Sequence, residues 1–184
     1  MLFDLIDFPE TVNQVMKQVR KLYIPVYEAF EQYGDKKNFG SSSGMKLYSP
    51  GRTNPVQADF ICILKPDLFR KFVLPALEEE AEFLDHSCFH LDGPGALPFL
   101  DDILSIEDID AVQWVPGAGA RPQHQWPEVI HKIQSAGKAA LLYGDCRLIK
   151  QSHKEYKPEL VVYDVQAESL SQGLELLDWL QDNT

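Results

Sequence analysis

The feature that most constrains the fold is a repeated alternation of short apolar runs, polar or Gly/Pro-rich turns and amphipathic helical segments, spaced about 25–30 residues apart. Strands that alternate with helices predict a parallel sheet, because two neighbouring parallel strands must be joined by a crossover connection. The chain is therefore predicted to be an α/β protein. Strands are predicted at residues 38–43, 87–91, 111–115, 139–143 and 160–165.

Helices are predicted at residues 9–33, 66–84, 96–104, 126–136 and 169–180. The first has a start signal, since Asp7 and Glu10 form a pair that resembles a capping box and Pro9 is tolerated early in a helix. Pro25 is expected to kink or end it. Residues 40–55 show no regular pattern, and a connection of that length is usually functional or disordered.

Composition and charge narrow the class of protein. A chain of 184 residues with 45% hydrophobic and 24% charged residues can form one domain with a substantial core. The net charge of −11, with scattered Lys and Arg, disfavours nucleic acid as a partner. No apolar run approaches the ~18–20 residues of a membrane helix, and the three cysteines form no paired framework. We therefore expect no membrane association and a reducing compartment, the cytoplasm.

The stretch richest in chemistry is residues 85–95, where an apolar strand ends in His90, Asp92 and a glycine-proline turn. Residues two apart on a strand project from the same face, so His90 and Asp92 can converge on one ion or one substrate. Asp92 also precedes Gly93, and an aspartate in that position often caps local amides instead. Both interpretations of Asp92 stay open.

Four further positions are candidates for substrate binding. Arg121 follows a glycine-rich turn at 117–119 and can bind a carboxylate or phosphate, although the turn is not a phosphate-loop motif. Arg52 is a second anion-binding candidate, with a surface role as the alternative. Asp59 either orients a substrate or caps a turn, and Gln113 or its neighbour faces the interior of the fold. No Gly-x-Ser-x-Gly or His-Glu-x-x-His motif is present.

Three stretches carry a family resemblance. They are residues 59–75, residues 90–96 (His-Leu-Asp-Gly-Pro-Gly-Ala) and residues 113–119 (Gln-Trp-Val-Pro-Gly-Ala-Gly). They resemble the C-terminal half of the uroporphyrinogen decarboxylase superfamily, which includes the decarboxylase and the methyltransferases that work with corrinoid proteins. The decarboxylase-like group associated with the trimethylamine corrinoid protein is the most similar. The resemblance extends from about residue 2 to residue 180.

The resemblance implies a (β/α)8 TIM barrel, whose active sites lie at the C-terminal ends of the strands. The chain has about five of the eight β/α units, so we expect residues 1–184 to be a single incomplete barrel domain, the back part of a longer protein. Five strands cannot close the ring, which leaves exposed strand edges. We therefore expect self-association, pairing with a complementary N-terminal half, or marginal folding.

The resemblance also implies a metal site. In the zinc-dependent methyltransferases of this superfamily, a His-x-Cys pair at this strand end and a later Cys bind the metal. Here His90 matches and Asp92 replaces the first Cys, which still suits zinc or another divalent ion. The remaining ligand is open among Asp145, Cys146 and Asp164, with Cys146 as our choice.

The preferred function is corrinoid-linked methyl transfer assisted by a metal ion, with the corrinoid on a partner protein. His90 and Asp92 are the predicted catalytic residues, and the substrate is a small molecule. The alternative is a non-catalytic remnant or ligand-binding module of the same fold. Tetrapyrrole decarboxylation is less favoured, because the family's pattern draws an aspartate and arginines from the N-terminal portion.

Overall fold

The structure is a computed structural model that describes residues 2–184. It contains an antiparallel pair of short strands and a parallel sheet of five strands in the consecutive order β3-β4-β5-β6-β7. The strands are β1 (Ser41–Ser42), β2 (Tyr48–Ser49), β3 (Thr53–Gln57), β4 (His86–Asp92), β5 (Ala111–Val115), β6 (Ala139–Asp145) and β7 (Val161–Gln166). The predicted α/β class is confirmed at the level of a five-stranded parallel sheet.

Helices connect and flank these strands. They are α1 (Asp4–Asp7), α2 (Pro9–Arg20), α3 (Tyr23–Glu31), α4 (Lys36–Phe39), α5 (Pro66–Leu68), α6 (Leu74–Phe83), α7 (Leu100–Leu104), α8 (Pro127–Ser135), α9 (Cys146–Glu155) and α10 (Leu170–Asn183). Shorter 3₁₀ turns span Asp59–Ile63, Pro94–Phe99, Gln123–Gln125 and Pro158–Leu160, and a π turn spans Phe69–Val73. Within residues 2–184, no helix combines the length and the apolar character that crossing a membrane requires.

One face of the sheet forms the main core. Val56, Phe89 and Val112 lie side by side in the register of β3, β4 and β5, and all three are fully buried. Trp114 and Leu142 extend this face, which packs with buried residues of α6, α7 and α8 in one cluster. Alternate residues of a strand point to opposite faces, so the remaining strand residues lie on the other side of the sheet.

The opposite face is covered in part by the loop between β1 and β2. Met45 from this loop packs against Cys88 and Ala111 near the start of β4 and β5. Lys46, at a φ of 61°, reaches Asp164 on β7 with its Nζ 2.9 Å from the nearer carboxylate oxygen. The cover over Cys88 and Ala111 thus lies on the N-terminal side of His90, which follows Cys88 by two residues on the same face of β4.

Four of the five predicted strands are confirmed with small differences at their ends. The strand predicted at 38–43 is wrong, because α4 occupies Lys36–Phe39 and β1 has only two residues. The fifth strand of the parallel sheet is β3, which begins inside the segment 40–55, for which no pattern was found, and ends two residues beyond it. Its polar residues and Pro55 hide the strand signal, and proline is tolerated there because β3 is an edge strand. Helix α9 was also missed.

The helix predicted at 9–33 is divided into α2 and α3. Pro25 explains the division, since a proline ring clashes with the carbonyl group four residues earlier, here that of Lys21 at the junction. The predicted cap at Asp7 is wrong. Asp7 ends α1, and Phe8 precedes α2 without a capping side chain.

Candidate metal centre

Asp59, His90 and Asp92 come together at the C-terminal ends of β3 and β4. Each offers one ligand atom, and these atoms all lie within 4.8 Å of one another. The register explains the convergence: Gln57 pairs with His90, so Asp59, two residues beyond Gln57, reaches the level of Asp92. We call these three residues the acid–histidine group. His90 is half-buried and both aspartates are exposed to solvent.

Gln113 fixes the ring of His90. Its Oε1 lies 2.6 Å from Nδ1 of His90, and the two residues are direct neighbours in the register of β4 and β5. A carboxamide oxygen accepts a hydrogen bond, so this contact suits the tautomer in which Nδ1 carries the proton. Nε2 then keeps its lone pair for a ligand. Metal-ligating histidines are usually held by such a second hydrogen bond.

The donor set fits a divalent ion with a preference for oxygen and nitrogen. Two carboxylates and one imidazole suit zinc, iron(II) or manganese(II) better than a soft ion such as copper(I), which prefers sulfur. The two negative charges balance the charge of a divalent ion. Three protein ligands leave coordination positions for a substrate, as in catalytic metal sites.

The structure does not bring Cys146 to this group. Cys146 begins α9 and is buried with Ile149 and Leu176 in a separate apolar cluster. The other two alternatives for the remaining ligand are also engaged elsewhere. Asp145 caps α9 by accepting from the amide of Leu148 at 2.7 Å, and Asp164 pairs with a lysine. Asp59 takes the third position instead.

Asp59 was predicted only as a substrate-orienting or capping residue. A signal for its role exists, because it lies two residues beyond the end of β3. That signal depends on recognising β3 as a strand beside β4. Once β3 is known, an aspartate at its C-terminal end becomes a natural partner for His90 and Asp92.

Arg52 lies at the N-terminal ends of β3 and β4, opposite the acid–histidine group. It precedes β3, and Asp85 precedes β4. Asp85 accepts from the backbone amide of Arg52 at 2.7 Å and pairs with its guanidinium at 3.2 Å. These hydrogen bonds lower the pKa of Asp85. Arg52 therefore joins the starts of two strands and does not meet the acid–histidine group.

Arg121 lies on the same side as the group but is committed to other partners. It pairs with Glu128, and its guanidinium carbon lies 3.9 Å from the ring centre of Trp126. The surrounding loop borders a cavity of about 300 Å³, which we call the Gly117 cavity. A Cβ atom at Gly117, where φ is +83°, would lie 4.0 Å from Oδ1 of Asp92. The cavity thus begins beside the acid–histidine group.

Gln123 is a site-supporting residue that the sequence did not indicate. Its Nε2 donates to the carbonyl oxygens of Trp114 and Leu141, each at 2.9 Å, and its Oε1 accepts from the amide of Tyr143 at 3.3 Å. The residue is buried and joins β5 to β6. A glutamine in a loop has no pattern that predicts such a role.

Cys88 shares the open face of β4 with His90. Burial raises the pKa of its thiol to about 12, so the thiol is protonated at neutral pH. A metal is bound by the thiolate rather than the thiol. Cys88 therefore serves as a small apolar residue beneath Met45.

A larger apolar groove of about 1490 Å³ lies elsewhere, between α3 and α6. It is lined by aromatic residues that include Tyr23 and Phe83, and by the carboxyl group of Glu80. Burial raises the pKa of both Glu80 and Tyr23, which share a hydrogen bond. The groove lacks the acid–histidine group, so its size alone does not make it the site of chemistry.

The sequence matches no family model and no curated protein.

Proposed function

We propose that the acid–histidine group binds a divalent metal ion and that this ion is the chemical centre of the protein. The observation that carries the proposal is the convergence of three ligand atoms within 4.8 Å, one of them on a histidine already held by Gln113. The ion is zinc or another divalent metal with the same preferences. When bound, it supplies a Lewis acid that polarises an oxygen atom of the substrate.

We further propose that the five-stranded sheet is part of a (β/α)8 barrel. The consecutive strand order, the single helix-covered face and the position of the group at the C-terminal strand ends support this architecture. Five strands do not close a barrel, so the remaining strands belong to another segment of the protein or to a second copy. The interior of the barrel would then lie over His90 and Gln113.

The reaction class that we propose is methyl transfer linked to a corrinoid on a partner protein. It follows from the resemblance to the uroporphyrinogen decarboxylase superfamily, and His90 and Asp92 would position the small molecule that exchanges the methyl group. The ligands here are harder than the thiolates of the zinc methyltransferases. The second candidate is a ligand-binding module without turnover, which the exposure of Asp59 and Asp92 favours.

Metal binding tests the central claim. We expect the purified, metal-stripped chain to bind about one zinc ion in isothermal titration calorimetry. His90→Ala should abolish this binding, and Gln113→Leu should weaken it by about 10–100-fold because the histidine loses its orienting partner. His124→Ala is the matched control, since His124 is exposed and lies outside the group. Equal zinc binding by His90→Ala and His124→Ala would contradict the proposal.

Turnover distinguishes the two candidate functions. The zinc-loaded chain is mixed with methylcobalamin as the probe and with small oxygen-bearing acceptors, and loss of the methyl–cobalt bond is followed by absorbance. Transfer that depends on both zinc and His90 supports the methyltransferase. Zinc binding with no transfer for any acceptor supports the ligand-binding module.

A further inference from the structure

We infer that the Gly117 cavity holds the uncharged, apolar part of a small substrate whose head binds the metal through two oxygen atoms. The class of substrate is a 2-oxo or 2-hydroxy acid with a branched or aromatic side chain. This inference rests on the proposed metal site and adds the identity of what the metal would bind.

The cavity and the acid–histidine group are adjacent. Val115, which lines the cavity, pairs with Asp92 in the register of β4 and β5. Gly117, on the next part of the wall, would place a Cβ only 4.0 Å from Oδ1 of Asp92. A molecule bound to an ion on Asp92 can therefore extend directly into the cavity.

The walls of the cavity favour binding of an apolar substrate side chain, which we call the body of the substrate. Most of the lining is carbon, from Val115, Pro116, Ala118, Ala120 and Pro122. The polar side chains of the wall are already bonded. Gln123 makes three hydrogen bonds to backbone groups, Arg121 is paired with Glu128, and the hydroxyl of Tyr143 donates to the carbonyl of Trp114 at 3.4 Å.

The side chains of this wall offer a polar or charged body no free partner to replace its hydrogen bonds to water, which disfavours its binding. An apolar body loses nothing and removes apolar surface from water. The cavity has a volume of about 300 Å³. That size suits a branched alkyl or phenyl group.

The metal determines which chemical group of the substrate, its head, can bind beside the cavity. An ion held by two carboxylates and one imidazole prefers hard oxygen ligands, and the open coordination positions can take two of them. Gln57, which is exposed and lies next to His90 in the β3–β4 register, offers a carboxamide beside this position. A 2-oxo or 2-hydroxy acid supplies two oxygens on neighbouring carbons, C1 and C2, and a side chain that begins at C3.

Cobalt(II) as a spectroscopic probe tests the inference. The cobalt-loaded chain is titrated with 4-methyl-2-oxopentanoate and with pyruvate, which has the same 2-oxo acid group but only a methyl side chain, and the visible cobalt spectrum reports binding. We expect the branched acid to bind at least tenfold tighter. Ala120→Leu, which fills the cavity away from the metal, should reduce this preference to less than threefold without changing pyruvate binding.

Ala136→Leu is the matched control, because Ala136 is exposed and lies outside the cavity. Ala118→Leu, also on the wall of the cavity, should have the same effect as Ala120→Leu if that variant does not fold. Equal affinity of the wild-type chain for the two acids would overturn the inference and leave the metal site intact. Failure to bind cobalt at all would instead overturn the proposed metal site.

Discussion

The pairing of β5 with β6 depends on hydrogen bonds from the buried side chain of Gln123. The ladder between these strands has three residue pairs and ends at Gln113 and Leu141. Beyond that point Gln123 bridges the strands by donating to Trp114 and Leu141 and accepting from Tyr143. Replacing Gln123 with leucine keeps a similar volume but removes all three hydrogen bonds.

The expected cost follows from the number of bonds. Each hydrogen bond contributes about 0.5–1.5 kcal/mol, and a buried backbone group left without a partner costs about 1–3 kcal/mol. Two groups are left in this way, the carbonyl of Leu141 and the amide of Tyr143, because the carbonyl of Trp114 keeps the hydroxyl of Tyr143 as a partner. The added apolar surface of leucine offsets part of the loss. We expect Gln123→Leu to lower the free energy of unfolding by about 3 kcal/mol. Gln123→Glu should cost at least as much, since a carboxylate cannot donate and buries a charge.

Urea denaturation followed by circular dichroism measures the change, provided that the slope of the transition stays constant. Gln125→Leu is the matched control, because Gln125 lies in the same turn and is exposed. The control should change stability by less than about 0.5 kcal/mol. A loss below about 1 kcal/mol for Gln123→Leu would refute the bridging role.

Two further predictions concern thiols and acid stability. Of the three cysteines, only Cys62 is exposed. A thiol reagent at neutral pH should therefore modify Cys62 rapidly, and should modify Cys88 and Cys146 only at the rate of unfolding. Rapid modification of two cysteines would contradict this burial. The lowered pKa of Asp85 means that its pairing with Arg52 stabilises the fold above the unfolded pKa of about 3.9 and is lost as the pH falls through the lower folded pKa. The stability advantage of wild type over Asp85→Asn, about 1 kcal/mol or less for this exposed pair, should therefore be constant above about pH 5 and shrink as the pH falls below about 4. Urea denaturation measures this advantage, and an advantage that grows on acidification would contradict the prediction.

The sequence predicted the strands whose signal is local. β4, β5 and β6 are apolar runs bounded by turns, and such runs can be recognised as strands from the sequence alone. β3 is different, because the backbone of its first residue is hydrogen-bonded from outside the sheet. Tyr27 of α3 accepts from the amide of Thr53 at 3.0 Å and donates to its carbonyl at 3.3 Å. A strand stabilised by a side chain 26 residues away leaves no periodic pattern in its own sequence.

The same distinction applies to the site. His90 and Asp92 were predicted as partners because a spacing of two on one strand is a local rule. Asp59 joins them only through the pairing of β3 with β4, which is a tertiary contact. Cys146 was chosen by analogy with the family's metal ligands, and its place at the start of α9 puts it in a different cluster.

The two faces of the sheet differ in a way that explains why the candidate site lies on one of them. Parallel sheets are normally covered on both faces, and the helix-covered face is apolar throughout Phe89, Val112 and Leu142. The other face carries His90 and Gln113 toward the C-terminal ends of the strands. Polar groups there would weaken a core, since buried polar groups without partners are costly. Their hydrogen bond to each other, with one imidazole nitrogen left free, fits a ligand site better than a packing surface.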